Sequence, residues 1–139
     1  MDKPKQEEMK KLLVIFAALV CGAVAMAQNV GYRSVGVEEF AAIIADTSVV
    51  RLDVRTAKEY GEGHIVGAVN IDVLQQTFAA EVEQKLSTKK VVALYCRSGR
   101  RSKTAASILA PMGYQVVELS SGYAGWTAAG KKVTKQQQL

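Results

Sequence analysis

The feature that most constrains the fold is an unbroken apolar run, residues 91–95, that ends directly at Cys96. A run without polar alternation is typical of a strand buried on both faces, and such strands belong to parallel sheets covered by helices. Shorter apolar runs at residues 49–52, 68–73 and 116–119 predict further strands. The sequence therefore favours a mainly parallel sheet over an antiparallel β protein.

Helical segments separate the predicted strands. Apolar residues recur at helical spacing in three places, which predicts helices over residues 37–45, 77–86 and 102–112, and Gly113 is a natural stop for the last one. A chain of 139 residues is long enough for one domain but not for two separate cores. Strands alternating with helices in one domain predict an α/β sandwich, with ligands collected beyond the carboxyl ends of the strands.

The first 27 residues predict an export signal rather than part of the fold. Lys10 and Lys11 precede sixteen residues, 12–27, without a charged side chain, and the stretch ends in small residues around Met26. A membrane-spanning helix needs about 20 apolar residues, and a small-x-small ending suits a signal peptidase. We expect cleavage after Ala27, with Met9 as a candidate start. An uncleaved membrane anchor is one alternative, and a lipoprotein formed through Cys21 is a weaker one, because Val20 is bulky where a small residue is expected.

Cleavage would leave residues 28–130 as the domain and 131–139 as a polar, frayed tail, in a periplasmic or secreted protein that is not embedded in the membrane. The mature chain carries a net charge of +4, and three of its basic residues lie together at Arg97, Arg100 and Arg101. This clustering indicates a local anion site rather than a nucleic-acid surface. We expect a monomer without a nucleic-acid partner.

Cys96 would be the one cysteine of the mature chain. It has no intramolecular partner, so it is buried and inert, paired with another chain, or chemically employed. One His and two Cys in the full chain are too few for a four-coordinate zinc site unless a carboxylate or a second chain contributes.

The loop after the central strand favours the chemical use of Cys96. Three arginines and Gly99 separate it from a helix beginning near Ser102, and free N–H groups at a helix start can converge on the sulfur. Such surroundings lower the pKa of a thiol and favour the nucleophilic thiolate. Gly99 can take a positive φ, which lets the amides turn inward. Arginines beside an inert core cysteine would be hard to solvate.

Residues 96–102 resemble the active-site loop of single-domain rhodanese-like sulfurtransferases of the exported type. Residues 52–55 with 59–60, and then 63–71, resemble the family's two upstream signatures, and residues 122–126 resemble its closing motif. The resemblance spans residues 34–126. It implies a three-layer α/β/α sandwich with a mainly parallel central sheet of about five strands.

The resemblance also implies an enzyme of the thiosulfate sulfurtransferase type, with Cys96 as the nucleophile. Cys96 would take the outer sulfur of thiosulfate or a similar anionic donor, release sulfite, and hold a persulfide until cyanide, a thiol or a protein acceptor removes it. No metal or organic cofactor is needed. The implied cradle consists of Arg97, Ser98, Gly99, Arg100, Arg101 and Ser102. The supporting residues are Asp53, Arg55, Glu59 and His64, of which Asp53 and Arg55 are expected to form charge-assisted hydrogen bonds.

Three other interpretations remain. A cysteine phosphatase also cradles an anion in such a loop, but it needs an arginine six residues after the cysteine, where this chain has Ser102. A rhodanese-like domain can act as a binding module without catalysis, although those domains often lack the cysteine. A persulfide relay that serves a protein partner would use the same residues as the enzyme.

Overall fold

The computed structural model describes residues 31–137, and a parallel five-stranded sheet runs through their centre. Its strands are β1 (Tyr32–Val35), β2 (Val50–Asp53), β4 (Val69–Asn70), β5 (Val92–Tyr95) and β6 (Val116–Leu119). Their spatial order is β1-β6-β5-β2-β4. An antiparallel pair joins β3 (His64–Ile65) to β7 (Val133–Thr134). All residues of the middle strand β5 are buried, which confirms the strand predicted from the apolar run.

Helices cover both faces of the sheet. They are α1 (Val37–Ile44), α2 (Ala57–Glu62), α3 (Phe78–Lys85), α4 (Arg100–Leu109) and α5 (Gly122–Ala128), with a 3-10 turn at Ala110–Met112. Buried residues of α3 and α4 pack with Val92 and Leu94 on one face, and those of α1, α2 and α5 pack with Ala93 and Tyr95 on the other. The predicted three-layer α/β/α sandwich is confirmed.

The alternation of side chains along the strands decides what faces the site. Because side chains alternate between the two faces of the sheet, Cys96 lies on the same face as Leu94, two residues before it. It therefore packs in the core beneath α4. Asp53 at the end of β2 is in register with Tyr95. Because the strands are parallel, the residues that follow β2, β5 and β6 gather at one edge of the sheet.

Two predicted elements have different bounds in the structure. Helix α4 begins at Arg100 rather than near Ser102, because Gly99 adopts a left-handed conformation and closes the loop early. It ends at Leu109 because Pro111 has no N–H to continue the helical ladder. Strand β4 covers two residues of the predicted 68–73. The Asn70 side chain donates to the carbonyls of Asp53 and Arg55, and the chain turns at Asp72, whose carboxylate accepts from the Leu74 N–H.

The predicted frayed tail is docked over much of its length. Strand β7 pairs with β3, the Trp126 indole donates to the carbonyl of Lys132 at 3.0 Å, and Lys131 pairs with Glu38. The sequence interpretation weighed only the polar composition of residues 131–139, whereas main-chain pairing does not depend on apolar side chains. The predicted signal, residues 1–27, lies outside the described residues. Within residues 31–137 every helix is too short or too polar to cross a membrane.

Candidate active site

Cys96 lies at the carboxyl end of β5 with 1% of its surface exposed. The loop Arg97–Gly99 turns back over it, and the Gly99 N–H donates to the Cys96 Sγ at 3.1 Å. Gly99 has φ +98°, and a Cβ there would lie 2.2 Å from the carbonyl oxygen of Ser120. The close approach and the positive φ therefore both require glycine at this position.

The hydrogen bonds around the sulfur favour the thiolate. Burial raises the pKa of the Cys96 thiol, but hydrogen bonds from the Ser102 hydroxyl and from the backbone N–H groups of Ser102, Gly99 and Ser98 outweigh it, so the pKa lies below its ordinary value. The Ser102 Oγ is 3.5 Å from the Cys96 Sγ. Within the predicted loop 96–102, Ser98, Gly99 and Ser102 thus form a cradle for negative charge on the sulfur.

The start of α5 supports this loop from behind. The Tyr123 N–H donates to the Cys96 carbonyl at 2.8 Å, and the Ala124 N–H donates to the Arg97 carbonyl at 3.0 Å. Gly122 has φ +64°, and a Cβ there would lie 2.4 Å from the Arg97 carbonyl oxygen and 2.7 Å from the Ser98 nitrogen. The sequence interpretation did not assign a role to Gly122, although it recognised the motif that contains it.

Arg101 is bound on both arms by Glu59. Its two terminal nitrogens donate to the two carboxylate oxygens at 2.7 and 2.9 Å. The Arg101 guanidinium, helped by hydrogen bonds from Thr56, lowers the pKa of Glu59 to about 2 against the cost of burial. The pair joins α2 to α4 and holds a cation near Cys96. The hydrogen bonds to Glu59 raise the pKa of Arg101 against the cost of burial, and the nearby charge of Cys96 adds to the rise. Arg101 is therefore positioned by Glu59 rather than freely available to an anion.

Arg97 and Arg100 have exposed side chains on the rim of the cradle. A cleft of about 340 Å³ opens beside the loop. It is lined by Arg55, Glu59, Glu62, Gly63, Arg97, Tyr123, Ala124 and Thr127. Arg97 thus borders both the cradle and the cleft, where it can meet an incoming anion.

Asp53 and Arg55 form the expected buried ion pair. The Arg55 Nε and a terminal nitrogen donate to the Asp53 carboxylate, the closer contact being 2.7 Å. The same terminal nitrogen donates to the Gly63 carbonyl at 2.7 Å. The guanidinium lies 4.2 Å from the ring centroid of Tyr123 in α5. The pair connects the loops around the site, and its role in the chemistry stays a prediction.

His64 is fully buried and lies in the β3–β7 pair rather than in the cradle. Its ring stacks on Tyr60 at 3.6 Å, and its Nδ1 and Nε2 lie 2.8 and 2.9 Å from the carbonyl oxygens of Tyr60 and Gln136. These contacts are those of a scaffold residue that holds the docked end of the chain. Its assignment to the supporting set stays a prediction.

Glu118 was missed by the sequence interpretation. It is fully buried in β6, and its carboxylate accepts from the hydroxyls of Ser34 and Ser102, the latter at 2.7 Å, and pairs with Lys103 at 3.1 Å. The sequence feature that could have pointed to Glu118 is that it is the one acidic residue inside the apolar run 116–119. In the part of the chain from residue 31 to residue 137, no cluster of three His, Cys, Asp or Glu side chains could hold a metal ion.

Comparison with known proteins agrees with this architecture. A sequence profile of the rhodanese-like domain matches residues 36–129. Thiosulfate sulfurtransferase PspE of Escherichia coli is 40% identical over 73 residues, covering 51% of this chain and 67% of the relative. The uncharacterized protein YqhL of Bacillus subtilis is 32% identical over 118 residues, covering 83% and 90%. The putative sulfur carrier protein YrkF of Bacillus subtilis is 34% identical over 87 residues, covering 60% and 44%.

Solved structures show the same fold. A rhodanese-related protein from Thermoplasma volcanium is 28% identical with a TM-score of 0.64, covering 76% of this chain and 100% of its own. Thiosulfate sulfurtransferase from Pseudomonas aeruginosa is 26% identical with a TM-score of 0.65, covering 76% of this chain and 21% of its own. With its profile match, its parallel sheet and its cysteine-bearing loop, the chain belongs to the rhodanese-like domain family.

Proposed function

We propose that the protein is a sulfurtransferase that moves a sulfane sulfur from thiosulfate or a similar anionic donor to a thiophilic acceptor through a persulfide on Cys96. The observation that carries the proposal is the cradle itself. The Cys96 sulfur faces the Gly99 N–H at 3.1 Å and the Ser102 hydroxyl at 3.5 Å, in a setting that lowers the pKa of its thiol. A stabilised thiolate at the end of a central strand is suited to attack sulfur.

In the first step the Cys96 thiolate attacks the outer sulfur of thiosulfate. A new S–S bond forms to Cys96 as the S–S bond within thiosulfate breaks, and sulfite leaves with the electron pair. The outer sulfur of the resulting persulfide carries the negative charge. The backbone N–H groups of Ser98 and Gly99 can stabilise that charge, since they already point at the loop interior.

In the second step a thiophile such as cyanide attacks the outer sulfur. Thiocyanate forms, the persulfide S–S bond breaks, and the electron pair returns to Cys96 as a thiolate. The exposed Arg97 and Arg100 attract the anionic reactants, while Arg101 adds positive charge near Cys96 from its fixed place beside Glu59. The cycle uses no metal or organic cofactor.

A relay that passes the persulfide to a protein acceptor is the second candidate, because it requires the same cradle. The matched relative YrkF is named a putative sulfur carrier protein. The two candidates differ in the source of sulfur. The enzyme turns over with thiosulfate and cyanide, whereas a dedicated relay is inert to thiosulfate and accepts sulfur from a protein persulfide.

We also propose that the protein is exported. The support is the sequence of residues 10–27, with its two lysines, apolar core and small-residue ending. Mass spectrometry of the protein recovered from the cell envelope tests the export proposal. A mature chain beginning at Gln28 is expected, and a chain that keeps residues 1–27 would contradict cleavage.

Thiocyanate formation from thiosulfate and cyanide tests the proposed activity. We expect Cys96→Ser to abolish it while circular dichroism and the urea unfolding curve stay as in the wild type. Ser107→Ala, on the exposed side of α4, is the matched control and should keep the activity. Substantial turnover by folded Cys96→Ser would remove Cys96 from the role of nucleophile.

A further inference from the structure

A buried carboxylate lies behind the cradle, where neither proposed step uses it. Glu118 is fully buried, and both of its oxygens are engaged. Oε1 accepts from the Ser34 hydroxyl and pairs with the Lys103 Nζ at 3.1 Å, while Oε2 accepts from the Ser102 hydroxyl at 2.7 Å. Ser102 is the residue that also reaches the Cys96 sulfur.

The Ser102 hydroxyl has one proton and two neighbours that can accept it. When it donates to Glu118, its oxygen can only accept from the Cys96 S–H and gives nothing to a thiolate. When it donates to the thiolate, Glu118 keeps only Ser34 and Lys103. In the structure the Ser102 hydroxyl donates to Glu118 at 2.7 Å, and in its 3.5 Å contact with the sulfur it is the Cys96 thiol that donates, so the carboxylate holds the Ser102 proton.

We propose that Glu118 is a positioning residue that competes with Cys96 for the single hydroxyl proton of Ser102 and so limits how strongly the cradle stabilises the Cys96 thiolate. The hydroxyl can turn to the sulfur when negative charge resides there and return to Glu118 when that charge leaves. While the Ser102 proton stays on Glu118, the thiolate is held by the backbone N–H groups of Ser98, Gly99 and Ser102.

Such a limit has a use in sulfur transfer, and this part of the inference rests on the proposed function. The intrinsic nucleophilicity of a thiolate falls as its pKa falls. A cradle that lowered the pKa of Cys96 too far would give a large fraction of thiolate, but each thiolate would react slowly. Glu118 places a second buried negative charge near the thiolate and takes up the Ser102 hydroxyl proton. Both effects keep the pKa of Cys96 from falling too far.

Other charged groups around Cys96 act in parallel. Arg101 and Lys103 approach from α4, Glu59 faces Arg101 from α2, and Asp72 from the segment after β4 acts on Arg101. Lys103 also donates to the Gly99 carbonyl at 3.3 Å, which ties the carboxylate to the loop. These groups stay unchanged in the test below.

The test is the pH titration of the Cys96 thiolate in the full chain. The probe is the absorbance difference at the thiolate band between each protein and its own Cys96→Ser counterpart, which cancels the contribution of Cys21. In Glu118→Gln the amide oxygen can keep Ser34 and Lys103, and the amide N–H can donate to the Ser102 oxygen. The Ser102 proton is then free for the sulfur.

We expect Glu118→Gln to move the titration midpoint to lower pH, giving about tenfold more thiolate below the midpoint, since a hydrogen bond to a charged group is gained and a like charge is lost. Ser102→Ala should change the midpoint little in the wild type but raise it clearly in Glu118→Gln. Equal effects of Ser102→Ala in the two backgrounds, or an unchanged or higher midpoint in Glu118→Gln, would overturn the proposal.

Two single variants protect the test against an effect of stability alone. Tyr114→Phe loses a buried hydrogen bond to the Leu86 carbonyl, away from the cradle, and should leave the midpoint in place. Ser102→Ala alone keeps the proposal testable even if Glu118→Gln does not fold, because Glu118 already holds the Ser102 proton and the midpoint should stay close to that of the wild type. A clear rise of the midpoint in folded Ser102→Ala would show that Ser102 already donates to the sulfur and would refute the competition. A normal titration without thiocyanate formation would instead count against the proposed function alone.

Discussion

Gly122→Ala is the substitution that most sharply tests how the active-site loop is held. Gly122 begins α5 with φ +64°, directly behind Arg97 and Ser98. An alanine Cβ would lie 2.4 Å from the Arg97 carbonyl oxygen and 2.7 Å from the Ser98 nitrogen. Both are backbone atoms, so the overlap is relieved only if the loop itself moves.

The structure sets the size of two effects. The left-handed conformation costs a non-glycine residue about 1 to 2 kcal/mol, and overpacking against fixed atoms costs about 1 to 3 kcal/mol more, so we expect a loss of about 2 to 5 kcal/mol of stability. Moving the Ser98 N–H also withdraws one donor from the Cys96 thiolate. A hydrogen bond to a charged group is worth about 1.5 to 3 kcal/mol, which corresponds to an activity loss of about 10- to 100-fold.

Gly130→Ala is the matched control. Gly130 has φ +71°, but a Cβ there meets nothing within 4 Å. It should therefore show the conformational cost without the overlap and without the loss of activity. The assays are urea unfolding and thiocyanate formation from thiosulfate and cyanide. If Gly122→Ala matched Gly130→Ala in both assays, the argument that α5 fixes the cradle would be refuted.

Two further predictions concern the Glu59–Arg101 pair. Folding lowers the pKa of Glu59 from its ordinary 4.5 to about 2, so the pair stabilises the fold fully above pH 4.5 and the gain is lost as the pH falls to about 2. Glu59→Gln should thus be less stable than the wild type at pH 7, by roughly 3 kcal/mol or less, and the difference should disappear near pH 2. Urea unfolding of both proteins across this pH range measures the difference. A difference in stability that does not change with pH would contradict the prediction. Arg101→Ala should raise the KM for thiosulfate, more strongly at low ionic strength, and identical rates at every thiosulfate concentration would show that its charge is not used.

The sheet was predictable because its central strands bury both faces. The apolar runs that become β5 and β6 give the strand positions to within one residue, and the helical spacing in α1 and α3 gives those helices equally well. The elements that were not predicted are β1, β3, β7, α2 and α5. Helix α2 has only six residues, and its one clear signal was the capping box between Thr56 and Glu59, which the interpretation did not use.

The site was predictable in its nucleophile and loop but not in what surrounds them. The sequence places Cys96 after a strand and arginines after Cys96, and local order alone suggests a cradle. Contacts between segments that are far apart in the sequence have no local sequence pattern from which they could be predicted. Glu118 meets Ser34 only because β1 and β6 are neighbours in the sheet, and it meets Ser102 only because α4 packs against β6. Gly122 meets Arg97 only because α5 returns behind the loop.

The most direct test of the account is whether Cys96 carries the transferred sulfur. The measurement is mass spectrometry of the full, reduced chain after treatment with thiosulfate, before and after cyanide, with peptide mapping to separate Cys96 from Cys21. One added sulfur is expected on Cys96, removed by cyanide, and none on Cys96→Ser. A folded, reduced wild-type protein that gains no sulfur from thiosulfate, or gains it equally in Cys96→Ser, would contradict it.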